Sequence, residues 1–251
     1  MKTSILKNRR KSIISKILII IIWILLSYFI DNEIIFPRIG STLNSLIDIF
    51  KNPKFLNIVW YSLLRSIVGF AISLFLAIIM GLISSISKTV YYLMLPIINF
   101  LTSVPTMAII ILALIWLNNE IVPIFIGFIM VFPILYETVL KGIQNVDEKI
   151  IIMAETYKVD KSTIIKDIYI PSVLLSLNNI ISSALGINLK MVIAGEVLSQ
   201  PKYAIGSNLQ LQKMYLNTSG VFAWIIIILV IAKMLEYILE GIKYLWTRLK
   251  I

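Results

Sequence analysis

Residues 141–171 read KGIQNVDEKIIIMAETYKVDKSTIIKDIYIP, and they decide how the chain around them is organised. Ten of them are charged: Lys141, Asp147, Glu148, Lys149, Glu155, Lys158, Asp160, Lys161, Lys166 and Asp167. Charge at that density keeps a segment out of hydrocarbon. The flanking stretches, Ile121 to about Leu140 and Val173 to about Val197, are apolar and close to the roughly 20 residues that cross a bilayer as a helix. The charged segment is therefore expected to be an exposed helical loop between two membrane spans. Two short helices fit it. One runs from about Asp147 to Tyr157; the other is capped by Asp160, whose carboxylate can accept from free N–H groups of the next turn. Pro171 sets the start of the following span.

The same reading extends to both ends. A first apolar run, Ile13 to Ile30, follows a basic head containing Lys2, Lys7, Arg9, Arg10 and Lys11. A secretory signal has that opening, but the following Asp31-Asn32-Glu33-Ile34-Ile35-Phe36-Pro37 lacks a small-residue cleavage pattern, so a retained helix is expected. A second span lies between Arg65 and Lys88. The interval from Lys88 to Glu120 is too long for one span; Pro96 and Pro105 divide it, predicting a connector near Tyr91 to Asn99 and a helix ending about Leu117. The Ile121 span carries Pro123 in its first turn and Pro133 inside, where a kink is expected. A last span covers about Val221 to Leu239. The expectation is an all-α polytopic membrane protein with six transmembrane helices.

Composition agrees. Of 251 residues, 59% are hydrophobic and 14% charged, against roughly half and a quarter in soluble chains. Cys and His are both absent and only 13 residues are acidic, which excludes thiolate chemistry and the usual metal ligand and general base. The net charge of +10 follows from topology. With the N-terminus inside, the cytoplasmic segments hold fifteen basic residues: Lys2, Lys7, Arg9, Arg10, Lys11, Lys16, Lys88, Lys141, Lys149, Lys158, Lys161, Lys166, Lys243, Arg248 and Lys250. The opposite face holds five: Arg38, Lys51, Lys54, Lys202 and Lys213. Both termini are thus expected inside. Basic residues spread over separate loops, without interleaved stacking aromatics, do not suggest nucleic acid.

Met153-Ala154-Glu155-Thr156-Tyr157-Lys158-Val159-Asp160, with Ile170-Pro171 downstream, resembles the EAA loop of ABC-transporter permeases. Ser62-Leu63-Leu64-Arg65-Ser66-Ile67-Val68-Gly69-Phe70 resembles the second-span opening of the nitrate/sulfonate/taurine type, and Ser103-Val104-Pro105 that group's third-span entry. Ala194-Gly195-Glu196-Val197-Leu198 with Ile205-Gly206 resembles its fifth-span exit, and Tyr215-Leu216-Asn217-Thr218 with Phe222-Ala223-Trp224 the approach to its sixth. Lys158 stands where the family has a glycine, whose value is access to left-handed backbone; a lysine there costs on the order of 1 kcal/mol if the same dihedrals are needed.

The resemblance implies a type I importer transmembrane domain over residues 1–251: an N-terminal helix and outer segment over 1–57, a permease core over 58–240 and a cytoplasmic coupling loop over 147–170. It implies a homodimer of this subunit in the bacterial cytoplasmic membrane, two cytoplasmic ABC ATPases and an extracytoplasmic substrate-binding protein. No P-loop is present, so ATP and magnesium are expected to be used by the ATPase, and no cofactor by this chain. Ile151, Ala154, Glu155, Tyr157, Lys158, Asp160 and Pro171 would form the ATPase-coupling element. The bland reading of this helix is an amphipathic segment lying on lipid headgroups.

For the substrate pathway, Lys190, Asn188, Glu196, Ser103 and Pro105 are the candidates. Lys190 either offers positive charge to an anionic solute or snorkels to the outer interface. It lies six residues from Glu196, about 120° around the helix. Arg65, at the outer start of its span, is expected to snorkel; Glu196 faces either the binding protein or water. Ser103 and Pro105 begin the third span. Lys233 and Glu236 form a local i, i+3 pair. The tryptophans belong to an interfacial belt.

The leading expectation is the permease of an ATP-driven importer for a sulfonate-, nitrate- or taurine-like anion, not an enzyme. The same role for a vitamin precursor or other small organic solute is the alternative. A secondary transporter is a second, disfavoured by the lack of interior Asp or Glu pairs. A membrane enzyme is more remote, since the loop carboxylates are interleaved with lysines.

Overall fold

A computed structural model describes the backbone of residues 2–249 and the side chains of residues 14–241 except that of Lys16. The basic side chains counted above at Lys2, Lys7, Arg9, Arg10, Lys11, Lys16, Lys243, Arg248 and Lys250, and Trp246, lie outside the described residues. Among the described residues the regular structure is helical: α1 (Lys2–Ile30), α2 (Ile39–Lys51), α3 (Phe55–Ile86), α4 (Lys88–Ser103), α5 (Thr106–Trp116), α6 (Val122–Gln144), α7 (Glu148–Thr156), α8 (Lys161–Ile164), a π turn (Ile165–Tyr169), α9 (Ile170–Ser199), α10 (Ile205–Met214) and α11 (Thr218–Leu249). They form two compact units, Met1–Leu56 with Asn208–Leu229, and Asn57–Ser207 with Val230–Ile251.

In the first unit, Trp23 of α1 donates its Nε1 hydrogen to the Pro37 carbonyl at 2.9 Å. Its ring packs on Phe36 and Phe222, with centroids 6.2 and 5.3 Å away. Trp23 is thus held by a hydrogen bond and by ring packing within the unit. After Met214, α10 closes in a left-handed turn at Leu216, φ 54°. There the N–H of Asn217 reaches the Gln212 carbonyl and that of Leu216 the Lys213 carbonyl. This pair of bonds satisfies carbonyls the helix end would otherwise leave free. The Asn217 side chain then accepts from the Gly220 N–H and opens α11.

The second unit is organised on α6, its most deeply buried helix. Val131, Leu135 and Val139 are fully buried and pack with Ala77, Met94, Val173, Leu177 and Ala184. Helices α6 and α9 run antiparallel, as their close approaches show. A Cβ on Gly195 would lie 3.0 Å from Pro123 Cα, one on Gly127 2.6 Å from Val192 Cγ2, and one on Gly142 3.1 Å from Val173 Cα. Small residues at these crossings let the backbones approach, the usual basis of helix association in lipid. Gly69 does the same between α3 and α6, where a Cβ would meet the Ile124 carbonyl at 2.8 Å.

Four helices are long and apolar enough to cross a membrane, Phe55–Ile86, Val122–Gln144, Lys161–Ser199 and Thr218–Gly241, or five with the bent pair α4–α5 counted as one. The described apolar part of α1, Ile17–Ile30, is shorter. Several sequence expectations are corrected. The connector placed at Tyr91 to Asn99 is helical: α4 runs through Pro96, its start capped by Ser87 accepting from the Val90 N–H. The break falls at Val104, which takes the extended conformation required before Pro105, and the two helices meet at 103°. Ser103 and Pro105 therefore sit at a bend within the third interval. Pro171 stands in the first turn of α9, as expected, but that helix is continuous with α8. Its ring would collide with the carbonyl four residues back, and the ladder widens into the π turn at Ile165–Tyr169 so that helix continues from Lys161 to Ser199. Likewise α3 begins ten residues before Arg65, which puts that arginine inside the helix.

Candidate functional site

The antiparallel α6–α9 pair has a polar assembly at each end. The 25 residues from Pro171 to Glu196 correspond to roughly 38 Å of helix.

At the end marked by Pro123 and Gly195, Arg65 is 5% exposed and Glu196 fully buried. Arg65 Nη1 donates to Glu196 Oε1 at 2.9 Å and to the Tyr203 carbonyl at 2.8 Å; its other terminal nitrogen donates to Glu120. The second oxygen of Glu196 accepts from the Ser62 hydroxyl at 2.9 Å and from the Gly206 N–H at 3.0 Å. Ser62 in turn accepts from the Ile205 N–H at 2.9 Å. Glu120 closes the ring by accepting from the Lys202 N–H at 3.1 Å. One buried arginine thereby ties α3, the α5–α6 loop, α9 and the 200–206 turn. Gly206 belongs here for a steric reason: a Cβ would lie 2.5 Å from the Ile193 carbonyl and 2.6 Å from the Val197 nitrogen. Burial pushes the Glu120 carboxyl up, but the Arg65 and Lys202 hydrogen bonds and the arginine's charge outweigh it and hold the group below its ordinary 4.5.

This cluster corrects two expectations. Arg65 does not snorkel, because its charge is met by two carboxylates. Glu196 faces neither water nor an external partner. An interior acid does exist, but it is neutralised in place. Asn188 is also fully buried, accepting from the Ser66 hydroxyl at 2.8 Å, which ties α3 to α9. Lys190 is exposed and makes no ion pair or hydrogen bond among the described residues. Ser103 and Pro105 are exposed beside the α4–α5 bend. The structure thus groups Glu196 with Arg65, Ser62 and Glu120, and leaves Lys190 outside that group. Lys233 and Glu236 pair at 2.6 Å.

The other end carries the charged loop. Asp147 caps α7 by accepting from the Lys149 N–H at 2.9 Å. At its far end the Val159 N–H reaches the Ala154 carbonyl and the Lys158 N–H the Glu155 carbonyl, both at 2.9 Å, with Lys158 at φ 54°. This is the left-handed closure that a glycine provides without strain. Asp160 then caps α8, accepting from the Ser162 N–H at 3.1 Å and from its hydroxyl. Those two bonds hold its carboxyl below the ordinary 3.8. Ala154 and Ile164 are buried, while Ile152, Met153 and Tyr157 are more than half exposed. Ile151, Glu155, Lys161, Ile164 and Tyr169 line, with Ser85 and Ile86 of α3, a cavity of about 230 Å³. The loop thus joins α6 to α9 through two capped short helices and presents Ile152, Met153 and Tyr157 outward.

A profile of the family described as binding-protein-dependent transport system inner membrane component matches residues 69–241, which include the charged loop, Glu120, Glu196 and Gly206. The chain belongs to that family. Over 249 residues the permease is 29% identical to a protein of Methanocaldococcus jannaschii that carries the name ABC transporter permease, covering 95% of this chain and 92% of the relative. It is 23% identical over 239 residues to the taurine transport system permease protein of Escherichia coli, covering 93% and 86%. These matches bear out the resemblance read from the sequence. The permease is a multi-pass cell-membrane transport component and not an enzyme, and permeases of this family work with an ATPase and a substrate-binding protein.

The residue missed in the sequence is Glu120, which reads as a loop carboxylate. Its only signal is an odd acid in the short turn between two apolar stretches, with Arg65 otherwise unbalanced.

Proposed function

We propose that this permease moves a small anion, of the sulfonate, nitrate or taurine-like class, inward across the cell membrane by alternating access. It acts as a homodimer with two ATPases, in a six-span arrangement with both termini inside. Lys190 supports the choice of solute: it is a cation within a membrane-spanning helix, exposed and without a counter-charge among the described residues. Such a charge is costly at that depth unless function requires it. The loop at residues 147–170 is the element on which the ATPases push. Its exposed apolar tip can seat in a groove, and its caps make it stiff enough to transmit force. ATP and magnesium are used by the ATPase, not by this chain.

The test begins with purification of the tagged chain in mild detergent. An ATPase and a second tagged copy in stoichiometric amounts are expected. The complex and its binding protein, reconstituted in vesicles, should then drive ATP-dependent uptake of labelled taurine, a short alkanesulfonate or nitrate, and Lys190→Met should reduce that uptake at least about tenfold while the complex still assembles. Isolation without an ATPase, or uptake confined to solutes that carry no anionic group, would overturn the reading.

A further inference from the structure

Between Pro171 and Ser199, the exposed positions of α9 are Leu175, Asn179, Ser183 and Lys190, with Gly186 half-buried among them. At about 100° per residue these five positions fall within an arc of about 80° and form one stripe along the helix. The other α9 positions in this range are half-buried or buried, and fully buried at Ala184, Leu189 and Val192. The stripe is polar at three of its four exposed positions. Other spans expose a different chemistry: α3 shows Trp60, Leu64, Ile67, Ile72 and Phe75, and α11 shows Ile225, Leu229 and Val230. Those faces suit hydrocarbon; the α9 face does not, because an amide, a hydroxyl and an ammonium would lose their water without replacement. Asn179, Ser183 and Lys190 have no hydrogen-bond or ion-pair partner among the described residues.

We infer that this stripe lines a water-filled path, along which Asn179 and Ser183 hydrogen-bond a small anion and Lys190 supplies the charge that attracts it. The inference rests on the import reading above and gives it a place in the fold. Gly186 keeps the wall low between Ser183 and Lys190: a Cβ there would meet nothing within 4 Å.

The chain contains no cysteine, so single thiols can be introduced without a background. Asn179→Cys and Ser183→Cys, with Phe75→Cys as the apolar-facing comparator, are made in the full chain co-expressed with its ATPase. Open membrane fragments are treated with an anionic sulfonatoethyl and a cationic trimethylammonioethyl methanethiosulfonate, with rates normalised to those on a free thiol. Modification at positions 179 and 183 at least about tenfold faster than at position 75, with a preference for the anionic reagent that Lys190→Gln abolishes, is the expected result. Rates equal to the Phe75→Cys comparator would overturn the water-lined path. Rapid modification without charge preference would overturn the role of Lys190. Oxidative cross-linking of two Asn179→Cys copies that also excludes both reagents would show a subunit contact, and would overturn the path too. ATP-driven uptake by the wild-type complex separates the two readings. Uptake of an anion with a silent stripe defeats only this inference, whereas a reactive, anion-preferring stripe without anion uptake defeats only the choice of solute.

Discussion

Arg65 and Glu196 stand 131 residues apart in the chain and meet at 2.9 Å with almost no exposure to solvent. A buried pair of this kind is not a large net gain over well-packed apolar residues, but removing one partner strands the other. Arg65→Met leaves the Glu196 carboxylate with only Ser62 and the Gly206 N–H, and should lower the stability of the purified complex by roughly 3–5 kcal/mol. The double variant with Glu196→Met as well should recover a substantial part of that loss. Thermal unfolding in detergent measures both, and if the single variant is too unstable to purify, recovery of expression in the double variant makes the same comparison. A loss in the double variant equal to the sum of the losses of Arg65→Met and Glu196→Met alone would show that the charges are not coupled.

How far the sequence could be read depends on the range of the interactions. Caps are local, so the Asp160 cap and the helix start near Asp147 were legible, as was the strain expected at Lys158, because each acts within a few residues of itself. The Arg65 cluster was not legible as geometry. A rule that ends spans at charges must place Arg65 at a boundary, since the carboxylates that neutralise it lie in distant segments. Ser62, Arg65, Glu196 and Gly206 all fell inside the family-like motifs, yet nothing in the sequence showed that those motifs touch. Pro96 and Pro105 look alike in sequence. Only the extended conformation taken by Val104 makes the second of them the bend.

Glu120 offers a graded version of the same pair. Its side chain is 55% exposed, so its link to Arg65 is screened and should contribute no more than about 1 kcal/mol. Its pKa is lowered in the folded protein. The unfolded chain therefore binds this proton at a higher pH than the folded chain does, and the contribution is fully present above the ordinary value of 4.5. It fades as pH falls through the lower folded value. Unfolding temperatures of wild type and Glu120→Gln measured from pH 7 downward should differ slightly at neutral pH and converge in acid. A gap that widened on acidification would contradict the assignment.

Lys158 holds φ 54° in a closure that favours glycine, and left-handed backbone costs a side-chain-bearing residue about 1–2 kcal/mol. Lys158→Gly should offset part of that strain through the folded state, less the entropy glycine retains when unfolded. The net effect is a stabilisation of about 1 kcal/mol or less, visible as slower amide exchange in α7. Lys158→Ala keeps the strain and removes the charge, so it should leave exchange unchanged. Equal protection in both variants would assign the effect to charge.

The loop's role in coupling can be separated from its stability by two adjacent residues that differ in burial. Ala154 is 5% exposed, and Ala154→Leu forces added carbon atoms into a packed position at about 1–3 kcal/mol. Glu155 is exposed and lines the cavity between the loop and the end of α3, so Glu155→Ala should leave unfolding within about 0.5 kcal/mol of wild type. If the loop transmits closure of the ATPase, both variants should lose the stimulation of ATP hydrolysis by the solute-loaded binding protein while basal hydrolysis persists. The comparison turns on Glu155→Ala, whose fold is expected to be intact: stimulated hydrolysis at the wild-type rate in that variant would place the coupling contact elsewhere on the loop, and wild-type stimulation in Ala154→Leu as well would remove the coupling role from α7.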